Sequence, residues 1–350
     1  GRSLWWSVHG RNKRSITANL KSDAGRKMVL DVARQCDVVV ENFKPGQLER
    51  LGLGPDVLAG ARAGLVIVRI SGYGQTGPDA KRAGFGVIGE AKGGLRHLTA
   101  NPMDAEHPPV RVGVSIGDSL SGLYGALGAL AAVIDQRASG RTEPRIIDVA
   151  LGESVLSMLE GCLPEYGHLG RVRQPEGSTI STASPSNAYR SVDGAWVLIA
   201  ANSNPLFAKL TTVMGQPDLK DDPRFIDNPS RVRNRDALDA LINGWASAQT
   251  ADAILQALDE VNVPVSKVYT IEDIAADEQY RARDMVVEIA DPLLGPTLHP
   301  GVVPVVEGLE RTAQIRWTGP QVGAHTDEVL RDLLGYEDDQ IERLREEGAL

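Results

Sequence analysis

The segment from Val114 to Arg137, VSIGDSLSGLYGALGALAAVIDQR, puts a carboxylate, Asp118, at the entrance to a long run of small and apolar residues. The apolar spacing predicts a helix, and an aspartate at its start can cap the free N–H groups of the first turn. The same position supports chemistry. A helix N-terminus favours the ionised carboxylate, and a carboxylate carried on the turn after Gly117 is exposed and unblocked for nucleophilic attack. The residue at this strand-turn-helix apex is aspartate and not serine, which argues against a Ser-His-Asp hydrolase.

Other residues compete for a role. SGYGQTGP, residues 71–78, follows a strand-like run and offers glycines, but no P-loop lysine follows and as a nucleotide fingerprint it is weak. Glycines at strand ends of doubly wound sheets nevertheless line the usual ligand crevice. Two basic clusters, RNKRS at 11–15 and NFKPGQLER at 42–50, could meet a phosphorylated ligand. The first reads as a solvated face, whereas Asn42 and Phe43 end a buried strand. Glu90 in GEAKGG reads as an exposed loop acid and a secondary candidate for a base. The six histidines show no HExxH or close metal-ligand spacing, so no metal site is expected.

These side chains need a scaffold, and the first third of the chain offers one. Met28, Val29, Val32 and Ala33 recur at helical spacing, CDVVVENF is a short β-branched run, Leu48 to Ala61 reads as a helical segment, and LVIVRISGYG is a buried strand ending in glycine. Continuous apolar strands separated by helices imply an α/β fold with a parallel sheet covered on both faces. From Gly84 to Asp118 the chain reads as mostly irregular. The long helix and a strand at RIIDVALGES follow. Glycines at 122, 125 and 128 leave one helix face bare for close packing.

YGHLGRVRQPEGSTISTASPSN, residues 166–187, reads as a linker. AYRSVDGAWVLIAAN then reads as a hairpin turning at Asp193-Gly194 with a type I′ turn. Helices are expected at Leu206–Met214, Arg235–Ser247 and Ala251–Val261. A strand is expected at VVPVV and a final amphipathic helix at DEVLRDLLG. The expected organisation is a large Rossmann-like domain over 1–186, a smaller α+β domain over 187–290, and a return segment over 291–350.

Composition excludes several classes. A formal net charge of -9 argues against a nucleic-acid footprint. Two distant cysteines make neither a disulfide framework nor a zinc site, and they suit a reducing, cytoplasmic setting. No apolar run reaches membrane-spanning length, and the first residues lack a signal-peptide pattern.

Taken in order, GRNKRSITANLKS, CDVVVENFKPGQLERLGLGPDVL, ISGYGQTGP, GFGVIGEAKGGLRHLT, RVGVSIGDSLSGLYGALGALAAVIDQR, IIDVALGES and PQVGAHTDEVL resemble the family III CoA-transferases over nearly the whole chain. That group includes formyl-CoA, carnitine-CoA and succinyl-CoA transferases and α-methylacyl-CoA racemases. The resemblance implies that Asp118 is the nucleophile of a covalent CoA transfer from an acyl-CoA, succinyl-CoA by the look of the glycine-rich passage, to a carboxylic acid. It implies a CoA site of Asn42, Phe43, Lys44 and Arg50, a backbone strip at Ala18, Asn19, Leu20 and Lys21, and Phe85 along the pantetheine arm. It also implies an interlocked homodimer, with CoA as substrate and no tightly bound cofactor. Members usually begin with a further βα unit, and this sequence starts after it. Racemases resemble GHD where this chain has Gly84-Phe85-Gly86, so the acid/base histidine of that alternative is missing. A non-catalytic dimeric paralogue is the other alternative.

Overall fold

The computed structural model describes residues 3–104 and 106–350. The chain forms two units, one made of Gly1–Leu98, Pro109–Arg173 and Arg281–Leu350, the other of Thr99–Pro108 and Gln174–Tyr280.

The larger unit is α/β, as the apolar strand runs predict. Three parallel strands, β1 (Val38–Glu41), β2 (Val66–Ser71) and β3 (Arg145–Ala150), lie in the order β1-β2-β3. Val38 pairs with Val66, and Val66 with Arg145. The central β2 is closed on both faces, so its side chains alternate between two cores. Ile67, with Leu65 just before the strand, packs with Ala33, Leu48, Leu53 and Leu58; Val66 and Val68 pack with Ala129, Ala132 and Val149.

The long helix, Ile116–Ser139, lies on the second face. An added Cβ at Gly125 would stand 3.1 Å from Val68 Cγ1, and one at Gly128 would stand 2.9 Å from Ile147 Cγ2. These two glycines let helix backbone approach sheet, the packing role expected of them; Gly122 faces open space. By length and composition this helix reaches the threshold for a membrane span, although no uninterrupted apolar run does. Its glycine contacts seat it on β2 and β3. Its other face leaves Leu123, Leu127, Leu130 and Ile134 exposed.

Helix Asp23–Arg34 is capped by Ser22, whose hydroxyl accepts from Gly25 N at 3.0 Å. Its Met28 is buried against Leu330 and Ile341 of two closing helices, Thr326–Leu334 and Asp338–Glu346. The second of these was not expected.

The smaller unit carries an antiparallel sheet, β4 (Ser186–Arg190), β5 (Trp196–Ala200) and β6 (Val265–Lys267). Helices Asn204–Val213, Arg235–Ala246 and Ala251–Asp259 cover it through Phe207, Leu210, Leu238, Ile242, Ile254 and Leu258. The β4–β5 connection runs from Ser191 to Ala195. Only Gly194 is left-handed, at φ 85°, so it is not the type I′ turn expected, which needs positive φ at both central residues. Asp193 instead accepts from the Ser191 hydroxyl and from Ala251 N.

Three other expectations are corrected. The passage after Gly84 holds two helices, Gly86–Lys92 and Leu95–Leu98. The 166–187 linker begins inside a helix, Cys162–Leu169. VVPVV forms no strand; the hairpin there is β7 (Val286–Asp291) with β8 (Gly295–Pro300), which ends before it.

Candidate active site

All three parallel strands end at one cleft of about 270 Å³, at the carboxyl edge where ligands of open α/β sheets bind. The turn after β1 supplies Asn42, Phe43, Lys44 and Pro45. The end of β2 supplies Ile70, Ser71 and Gly72, and Leu151 follows β3. Arg82, Ala83, Gly84, Phe85 and Asp118 complete the wall.

Asp118 is the third residue of the long helix, inside its first turn and not before it. Ser115 holds the cap position without a side-chain bond, so Asp118 is not the capping residue. Its carboxylate is exposed, and among the described residues it makes no hydrogen bond or ion pair. Two glycines seat it. An added Cβ on Gly86 would stand 2.7 Å from Asp118 Cγ and closer still to Oδ2; one on Gly117 would stand 3.1 Å from the Gly86 carbonyl oxygen. The carboxylate therefore rests against bare backbone at the start of helix Gly86–Lys92. A second glycine pair brings that backbone in, since a Cβ on Gly72 would stand 2.8 Å from Gly84 Cα.

The turn after β1 is held from below. Glu41 is buried, and its Oε1 accepts from Arg69 Nε at 2.7 Å while its Oε2 accepts from Phe43 N at 2.7 Å. Arg69 also reaches Glu49 at 2.9 Å. Burial works against the Arg69 cation, yet its bonds to the two carboxylates hold its pKa above the ordinary value. Burial likewise raises Glu49, but its hydrogen bond to Arg69, a backbone hydrogen bond and the charges of Arg69 and Arg50 together bring it below the usual carboxylate range.

The cleft thus brings Asn42, Phe43, Lys44, Phe85 and Asp118 together. Arg50 lies outside the lining, its guanidinium beside Gly46 under the same turn. Ala18 packs into the core around Met28, and Leu20 packs into the cluster that also holds Phe43. Asn19 ties to the chain end, its Nδ2 donating to the Gly348 carbonyl at 2.8 Å, and Lys21 is exposed. None of Ala18 to Lys21 lines the cleft. In the RNKRS cluster, Arg14 pairs with Glu328 at 3.3 Å and Arg11 donates to backbone carbonyls, a surface-facing role.

Glu90 is not an exposed loop acid. It lies on helix Gly86–Lys92, fully buried, and accepts from Arg96 Nε at 3.0 Å. Two polar lining residues, Arg82 and Ser71, have no individual role assigned from the sequence. Arg82 stands over the Tyr73 ring at 5.6 Å and pairs with Asp79 at 3.2 Å. Ser71 ends a strand whose only other polar side chain is Arg69, and its hydroxyl is the one available signal.

The description "CoA-transferase family III" matches residues 1–326. The succinyl-CoA–D-citramalate CoA-transferase of Chloroflexus aurantiacus is 40% identical over 99% of this chain and 84% of its own length. The succinyl-CoA:glutarate CoA-transferase of Mus musculus is 31% identical over 99% of this chain and 78% of its own. A CAIB/BAIF family protein from Brucella suis superposes with a TM-score of 0.81 at 30% identity, covering 95% of this chain and 84% of that one. The chain therefore belongs to CoA-transferase family III.

Proposed function

We propose that this enzyme moves CoA from succinyl-CoA to a small dicarboxylic acid, with Asp118 as the covalent nucleophile. The single observation that carries the assignment is the Asp118 carboxylate, exposed in the cleft and, among the described residues, engaged by no other side chain. Relatives named for succinyl-CoA as donor, with citramalate or glutarate as acceptor, support the substrate class.

In this reading an Asp118 oxygen attacks the thioester carbon. The C–S bond breaks, CoA leaves as thiolate, and a succinyl-aspartyl anhydride remains. The thiolate attacks the aspartyl carbonyl of the anhydride and releases succinate, giving an aspartyl-CoA thioester. The acceptor carboxylate then attacks that thioester, expelling the thiolate and forming a second anhydride. Attack of the thiolate on the acceptor's carbonyl releases the new acyl-CoA and restores the Asp118 carboxylate. No water is consumed and no proton need be stored, which suits a carboxylate with no attached base. Splitting one acyl transfer into covalent steps lowers each barrier.

Asn42, Phe43, Lys44 and Phe85 would hold CoA across the cleft, with Arg50 and Ala18 to Lys21 beyond it toward the nucleotide. The exposed apolar stripe of the long helix supports a homodimer, and two free cysteines fit the cytoplasm.

The test is to incubate the protein with succinyl-CoA, trap with hydroxylamine or borohydride, and map the product by mass spectrometry. Modification at Asp118, absent from Asp118→Asn, is expected. Turnover by Asp118→Asn within about tenfold of the native rate would refute the nucleophile, whose removal should cost about a thousandfold or more.

A further inference from the structure

Ser71 is the last residue of β2 and only 7% exposed, yet its Oγ has no hydrogen-bond partner among the described residues. Buried hydroxyls are normally paired, and one left without a partner carries a desolvation cost. The residue that carries it lines the cleft that holds Asp118.

Strand alternation fixes which way it points. Val68 and Ile70 lie under Gly125 of the long helix. Arg69 and Ser71 therefore share the opposite face, where Arg69 meets Glu41 beneath Asn42 and Phe43. Ser71 thus belongs to the Asn42–Pro45 side of the cleft, and Asp118 to the long-helix side. A ligand reaching from that turn to the nucleophile must cross the strand end between them.

We propose that the Ser71 hydroxyl hydrogen-bonds an amide of the pantetheine arm of CoA, and not the reacting thioester carbonyl. This rests on the proposed binding of acyl-CoA in the cleft. An amide offers both donor and acceptor, so either hydroxyl role satisfies the buried oxygen. The bond holds in free CoA and in acyl-CoA alike, which makes Ser71 a substrate-binding residue that leaves the chemical steps untouched.

Free CoA separates the possibilities, because it carries both arm amides and no thioester carbonyl. Titration calorimetry of CoA into the native protein and Ser71→Ala should show roughly a three- to tenfold loss of affinity. KM for succinyl-CoA should rise by a similar factor with kcat unchanged. The yield of trapped Asp118 at saturating succinyl-CoA should match the native yield, and matching circular dichroism establishes the fold. Equal CoA affinity in the two proteins overturns the inference while leaving the Asp118 assignment standing. A fall in kcat with unchanged KM and CoA affinity also overturns it and places the hydroxyl at the reacting carbonyl. No CoA binding to the native protein refutes both readings.

Discussion

Gly86 and Asp118 occupy each other's space: the volume a Cβ at position 86 would need is filled by the Asp118 carboxylate, with Cγ only 2.7 Å away. Gly86 opens its helix and its φ is not positive, so alanine suits the backbone, and the three atoms nearest its Cβ would all belong to Asp118. Gly86→Ala should force the carboxylate into another rotamer, and small misplacements of a reacting group cost about a hundredfold in rate. Steady-state kinetics should show kcat down at least tenfold, with thermal midpoint and CoA affinity near native. Native kcat in this variant would remove Gly86 as the seat of the carboxylate.

Glu41 has two partners that reach different levels of the structure. Its bond to Arg69 stabilises the sheet, and its bond to Phe43 N fixes the turn that lines the cleft. Removing one member of a buried ion pair strands the other charge, a loss of about 3 kcal/mol. Glu41→Ala should lose stability on that scale in denaturant unfolding and raise KM for succinyl-CoA. Glu41→Gln, which keeps an acceptor for Phe43 N, should lose stability with less effect on KM. Equal KM in both variants, at the native value, would show that the turn holds its shape without this carboxylate.

His299 on β8 is buried, and among the described residues its Nδ1 has no hydrogen-bond partner. Burial pushes its pKa below the ordinary 6.5, and Arg11 pushes the same way, against Asp291. The unfolded chain takes up a proton near 6.5, whereas the folded hairpin resists until lower pH. Stability should therefore fall as pH drops below about 6.5 and level off beneath the folded value. Thermal midpoints measured across this range should decline less steeply in His299→Gln than in the native chain. Parallel curves would mean that the imidazole titrates alike folded and unfolded.

How much of this was legible depends on what each residue has to meet. LVIVRIS is apolar enough to be a buried strand wherever its neighbours lie, so β2 could be read directly. VVPVV has the same β-branched character, but a strand also requires a partner edge, and β7 is paired with Gly295–Pro300 instead. The GEAKGG segment reads as loop because glycine is common in loops. Here Gly89 and Gly93 permit contact, since a Cβ at either would stand 2.8 Å or less from Leu151 Cβ or Val155 Cβ. That packing buries Glu90. In the cleft, Asp118 could be singled out as a carboxylate at the start of a small-residue helix. Ser71 and Arg82 could not, because their importance comes from which strand ends and loops converge, and spacing within one segment carries no such information.

The exposed face of the long helix makes the last prediction. Leu123, Leu127, Leu130 and Ile134 are spaced four, three and four apart, so they form one stripe, and each is at least 55% exposed. From 123 to 134 the stripe runs about 16 Å, the length of an apolar centre for a dimer burying roughly 800 Å² per partner. The opposite face is committed to the sheet through Gly125 and Gly128, so outward substitutions can test association without disturbing the core. The native chain should run as a dimer in light scattering. Leu127→Glu combined with Leu130→Glu should halve the mass, because two carboxylates would be buried without partners, while far-ultraviolet circular dichroism stays native. A native monomer would refute the homodimer outright. A variant that remains dimeric would keep the dimer and move its interface off this stripe.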